Sequence, residues 1–147
     1  MKKTIILLIA LFMVTFVVPI YAQESILPPN ANKKIIEDNL FIGLASVNTG
    51  LQRSCALLLG RIKSDRAVIP LLEALHNNPD ESVRIAAAWA LCVIGDSRGV
   101  YAVKKAVKYD ECPKVQSTCA WYYENYVKQG TFTFSVPAPE VAAITNR

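Results

Sequence analysis

Along the chain from Leu51, apolar positions recur at steps of three and four residues. Val83, Ala86, Ala87, Ala90, Leu91 and Ile94 follow the rhythm of an amphipathic helix, and alanine favours helix intrinsically. Gly95-Asp96 ends that run. Asp96 is placed to cap a second helix bearing Val100, Val103 and Val107, as Ser64 is placed ahead of Val68, Leu71 and Leu75. The predicted unit is therefore helix, tight turn, helix.

Sliding the sequence on itself shows that the unit recurs. An offset of 32 residues aligns Leu51 to Ser82 with Val83 to Lys114 without a gap, and a third copy begins at Val115. Ala56, Ala88 and Ala120 coincide, as do Leu59 with Leu91, Trp89 with Trp121 and Cys55 with Cys119. Asn48, Asp80 and Cys112 hold equivalent places just before the first helix of each unit. Pro113 falls at a first helical position, where its missing N–H costs little, and Pro70 falls in the first turns of its helix. One period earlier, residues 33 to 46 predict a terminal capping helix, with Ile36 matching Val68 and Leu40 matching Leu72. Asn39 and Gly43 fit that register less well. The expected fold is all-α: a short right-handed α-solenoid of about six antiparallel-paired helices over residues 33–127.

Val83-Arg84-Ile85-Ala86-Ala87-Ala88-Trp89-Ala90-Leu91-Cys92-Val93-Ile94-Gly95-Asp96 resembles the short HEAT-like repeats of the phycobilisome-lyase type. Leu59-Gly60-Arg61-Ile62 and Ala67-Val68-Ile69-Pro70-Leu71-Leu72 carry the same resemblance one unit earlier. It spans Lys33 to Val127 and departs from the family at Cys92, which replaces the usual glycine of a Leu-Gly pair. The resemblance implies a scaffold or interaction module whose second helices line a concave face. Its other implication is an accessory or regulatory subunit of an envelope enzyme, lyase-like by analogy.

The two ends of the chain are patterned differently. Lys2 and Lys3, an apolar run from Ile5 to Val18, and Pro19-Ile20-Tyr21-Ala22 have the order of an export signal cleaved after Ala22. An uncleaved membrane anchor is the alternative. Residues 23–32 read as a flexible linker, and 128–147 as a C-terminal extension. Within that extension Thr131 to Val136 alternates at period two and predicts a short strand, with the residues beyond it disordered. The expected location is periplasmic or extracellular.

Composition narrows the function classes. The formal net charge of +4 includes Lys2 and Lys3, so little remains to argue for nucleic acid as a partner. Cys55, Cys92, Cys112 and Cys119 are an even set, but the repeat register places Cys55 and Cys119 two units apart, and Cys92 away from both. Buried thiols and no disulfide are expected. His76, the single histidine, has no orienting partner in the pattern, and neither a metal-ligand spacing nor a cofactor motif is present. The chain therefore reads as a binding protein and not as an enzyme, with no cofactor and no metal.

Subtracting core positions leaves two candidate binding surfaces. One is the face of Tyr101, Lys104, Lys105 and Lys108, with Tyr109 just beyond, matched in the preceding unit by Ile69, Leu72, Glu73 and His76. This mixed basic and apolar face suits an acidic protein segment. The other is the end of the stack, where Trp121, Tyr122 and Tyr126 crowd one helix.

Overall fold

The computed structural model describes residues 27, 28 and 30–128. The expected export signal at 1–22, most of the expected linker and the expected strand at 131–136 lie outside the described residues. Contacts divide the chain into Met1–Ala31 and Asn32–Arg147. In the first unit the Ala31 N–H donates to the Pro28 carbonyl at 2.9 Å. The second unit holds every described helix.

Those helices are α1 (Lys33–Leu44), α2 (Thr49–Arg61), α3 (Val68–Asn77), α4 (Glu81–Ile94), α5 (Ser97–Tyr109) and α6 (Pro113–Tyr126). Their leading cap positions fall at Asn32, Asn48, Ser64, Asp80, Asp96 and Cys112. Successive caps differ by 16 in number, for instance 48 minus 32, which is half the sequence period. Asn32 accepts from the Ile35 N–H, Asn48 from Leu51, Asp80 from Ser82 and Val83, and Asp96 from Arg98. Each side chain satisfies a donor that has no acceptor within its own helix. Pro113 opens α6, and Pro70 is the third residue of α3, where no intrahelical acceptor waits for an N–H.

Ser64 departs from the expected capping role. A 3-10 turn, Asp65–Ala67, intervenes before α3, and Ser64 makes no side-chain cap bond. Its hydroxyl is fully buried without a hydrogen bond of regular geometry, although it lies beside the Glu37 carboxylate and favours its charged form. Glu37 is itself buried, and Arg66 reaches it at 2.9 Å while bonding Asp38 at 2.7 Å and covering the Phe41 ring. Burial raises the Glu37 pKa; Ser64, Arg66 and Lys33 together bring it below the ordinary carboxylate value. The turn is shaped by this tertiary pair, which a cap-based reading does not see.

Helix α4 is the centre of this helical unit, packed against α2, α3, α5 and α6. Its small residues Ala86, Ala87, Ala88 and Ala90 are buried, so neighbours approach its backbone closely. The closest approach is at Gly60 of α2: a Cβ there would lie 2.7 Å from Ala90 Cα. Leu59, Leu71, Leu75, Leu91, Val83, Val103 and Val115 fill the remaining core. The result is an all-α solenoid in which α2, α4 and α6 stack side by side, with α3 beside α5.

A polar clasp recurs in the loop before each of α2, α4 and α6. Ser46 Oγ accepts from the Asn48 N–H, Asn78 Oδ1 from Asp80 and Asp110 Oδ1 from Cys112. The carbonyls of the same three loop residues accept from Gln52, Arg84 and Gln116 at 2.6, 2.9 and 2.7 Å. Loop polar groups that pass between helices are thereby satisfied without water. The positions are again 32 apart.

Candidate functional site

Helix α5 buries Gly99, Ala102, Val103 and Ala106. That stripe leaves Tyr101, Lys104, Lys105, Lys108 and Tyr109 exposed, because residues one or two places from a buried helical position point elsewhere. Tyr101, Lys105 and Tyr109, four residues apart, form one row; Lys104 and Lys108 form the next. None of the three lysines makes an ion pair with a described residue. On α3 the matched Ile69, Glu73 and His76 are also exposed, while Leu72 is half-buried.

Between the C-terminal ends of α3 and α5 lies a groove of about 840 Å³, lined by His76, Asn77 and Pro79 on one side and Lys105 and Tyr109 on the other. Arg84, Asp110 and Glu111 form its end wall. Arg84 and Asp110 are a half-buried two-point pair, Nε to Oδ2 and Nη2 to Oδ1, each at 3.1 Å. Their charges cancel locally, so the groove has a basic side at Lys105 and an acidic tip at exposed Glu111. The sequence puts His76 on the face that matches Lys108; its position on a groove wall depends on the α3–α5 spacing and on the loop after Asn77. The match of His76 with Lys108 was the available signal.

The aromatic cluster is on α6. Trp121 and Tyr126 are exposed and Tyr122 is half-buried. Trp121 meets Tyr122 and Tyr126 edge-on, with centroids 5.6 and 6.4 Å apart, and Tyr126 meets Trp89 of α4 at 6.4 Å. Tyr126 thus belongs partly to the α4–α6 seam.

The four cysteines are free thiols. Burial pushes Cys92 and Cys119 up to about 12, and each is close enough to the other to add to the effect at Cys119. Cys92 and Cys119 lie on the directly packed helices α4 and α6. Such thiols are held protonated and poorly nucleophilic. Cys112 is half-buried, and its Sγ donates to Glu81 at 3.0 Å, beside a Lys114–Glu81 ion pair at 2.7 Å. Among the described residues no cluster of three or more His, Cys, Asp or Glu could hold a metal. Among them, too, no helix is long and apolar enough to cross a membrane.

A two-layer stack with a repeated polar clasp and an open groove along its second helices defines an α-helical repeat protein. Residues 37–124 match the family of HEAT repeats, and the chain belongs to that family. No curated protein matches the chain.

Proposed function

We propose that this protein is a non-catalytic interaction module, acting outside the cytoplasm, that takes an acidic segment of a partner protein along α5 and into the groove beside α3. The observation that carries the reading is a face on which Lys104, Lys105 and Lys108 make no ion pair with a described residue, beside exposed Tyr101 and Tyr109, with Lys105 and Tyr109 lining a preformed groove. Tyrosines supply contact area with few rotatable bonds, and unpaired lysines steer an acidic chain towards it. Glu111 gives the site direction: the acidic part of the segment lies towards Tyr101, and a neutral or basic part reaches the groove tip. HEAT repeats commonly serve as protein-interaction scaffolds, which supports the class. Lys2, Lys3, the apolar run and Ala22 support export. The likeness of Val83 to Asp96 to the phycobilisome-lyase type of repeat contributes architecture to this reading and no chemistry.

The test uses a fluorescent peptide of alternating acidic and apolar residues. Binding to the wild-type protein should weaken as salt rises, and the triple variant Lys104→Glu, Lys105→Glu, Lys108→Glu should bind about tenfold or more weakly. Partners retained from the native envelope should fall away in the same variant. Unchanged peptide affinity and unchanged partners would remove this face from consideration.

A further inference from the structure

Part of the charge on the walls of the α3–α5 groove is committed within the protein. Arg84 directs Nε and Nη2 at the two carboxylate oxygens of Asp110, and Nη1 at the Asn78 and Pro79 carbonyls at 2.9 and 3.3 Å. Asp110 Oδ1 accepts from the Cys112 N–H as well. Three ionisable groups of the lining stand outside that arrangement: His76 on the α3 wall, Lys105 on the α5 wall and Glu111 at the tip. None of them is in an ion pair among the described residues.

His76 lies in the last turn of α3 and is exposed, as its counterpart Lys108 is in the last turn of α5. The open carbonyls at a helix C-terminus favour a positive charge there. Histidine is the side chain whose charge ordinarily changes between about pH 5 and 8, and His76 is the single histidine of the chain. The groups that face it are few. Its own helix contributes Glu73, one turn back and outside the groove lining; α4 contributes Arg84, already neutralised by Asp110; α5 and the loop after it contribute Lys105, Tyr109 and Glu111. Lys104 and Lys108 belong to the next row of α5. Asp65 and Arg66, in the 3-10 turn packed on α3, lie at the opposite end of that helix, where Arg66 is held by Glu37 and Asp38.

We propose that His76 and Lys105 are the two sides of a clamp for one carboxylate of the acidic segment, and that the clamp gains its second cation when the imidazole takes a proton, so that the partner is held more tightly at mildly acidic pH. This rests on the interaction reading above, to which it adds a fixed position for one acidic residue and a means of regulation. In the empty groove a proton on His76 meets the repulsion of Lys105. A carboxylate between the two walls turns that repulsion into two attractions. Protonation and binding therefore favour each other, and each must do so to the same extent. Glu111 is the internal competitor. If the protonated imidazole turned to Glu111 instead, the groove would close on itself and binding would weaken as pH falls.

The probe is a fluorescent peptide of alternating aspartate and apolar residues, whose carboxylates stay ionised above about pH 5. At constant ionic strength the wild-type protein should bind it about fivefold more tightly at about pH 5.5 than at about pH 7.5. His76→Gln should bind as the wild type does at the higher pH and lose the dependence. His76→Lys should bind at both pH values as tightly as the wild type does at the lower one. The one imidazole of the chain gives a reciprocal reading by proton NMR: its titration midpoint should rise by about one pH unit when the peptide is added. Binding that is independent of pH, that weakens with acid, or that keeps its pH dependence in His76→Gln would overturn the clamp and leave the interaction reading standing. No binding of the peptide at either pH would overturn both.

Discussion

The α2–α4 and α4–α6 seams occupy equivalent places in the repeat and are held in different ways. At the first, Gly60 lets α2 rest against the Ala90 backbone, and the adjoining clasp is neutral: Asn78 Nδ2 donates to Gln52 Oε1 at 3.0 Å. At the second, Cys92 stands in the place of Gly60, and the clasp is charged, with Arg84 and Asp110 in the places of Gln52 and Asn78. Where the backbones meet closely, a neutral hydrogen bond suffices to fix the loop. Where a side chain intrudes, a half-buried ion pair holds it instead. A repeat register constrains where the contact falls and leaves its chemistry free.

The largest effect should come from removing the charged clasp. Arg84→Ala leaves half-buried Asp110 without its counter-charge and the Asn78 carbonyl without its donor, and should cost about 3 kcal/mol in urea unfolding. Installing the neutral pair, Arg84→Gln with Asp110→Asn, should recover most of that loss. A double variant as unstable as Arg84→Ala would show that the two clasps are not interchangeable.

Next comes the tight seam itself. Gly60→Ala places a Cβ against Ala90 and should destabilise by about 1–3 kcal/mol despite alanine's better helix propensity. The matched Cys92→Ala should cost less, because it removes one buried sulfur and pushes no backbone apart. Equal losses at the two positions would erase the distinction between the seams.

Alkali should act first on buried groups whose pKa is raised, Cys92 and Cys119 above all, with Cys55 and Tyr122 beside them. The folded pKa values of Cys92 and Cys119 lie above the ordinary thiol value, so their contribution is complete below about pH 9 and is lost as pH rises towards about 12. Each pH unit in that window removes at most about 1.4 kcal/mol per thiol. The Cys92→Ala, Cys119→Ala protein should lack this alkaline loss, and a thiol reagent at neutral pH should modify the native protein fastest at Cys112. Carboxylates behave oppositely: Glu37, Asp80, Glu81 and Asp96 have lowered pKa values, and their contribution disappears as pH falls through them.

The smallest effect concerns the turns that end α2 and α4. Gly95 has φ +80°, and the residue 32 positions earlier, Lys63, has φ 46°. Glycine adopts this left-handed region freely and lysine does not. Lys63→Gly should therefore stabilise by about 1 kcal/mol, seen as a raised melting temperature. The Lys63 carbonyl, which accepts from Lys33 Nζ, is kept.

Helix starts were legible because caps and core positions obey one period: Asp80, Asn48, Asp96 and Cys112-Pro113 act where the alignment puts them. Ser64 was not legible, since its surroundings come from Glu37 on α1 and Arg66, and Glu37 gives no sign of burial when read within its own helix. The exposed row from Tyr101 to Lys108 follows from the apolar stripe of α5. Its groove does not, because a groove is made by two helices and a loop at a distance that no single helix encodes.

The equal spacing of helix starts has a consequence for how the chain acquires its structure. The hydrogen bonds and ion pairs between helices join residues 26 to 33 apart, as at Asn78–Gln52 and Lys114–Glu81. No long segment must be closed before its contacts repay the lost freedom, so search entropy is spread evenly along the polypeptide. Structure can grow from any adjacent pair of units and spread outward in either direction. A molecule of this kind can begin to fold on the part already made or released, without waiting for its far end.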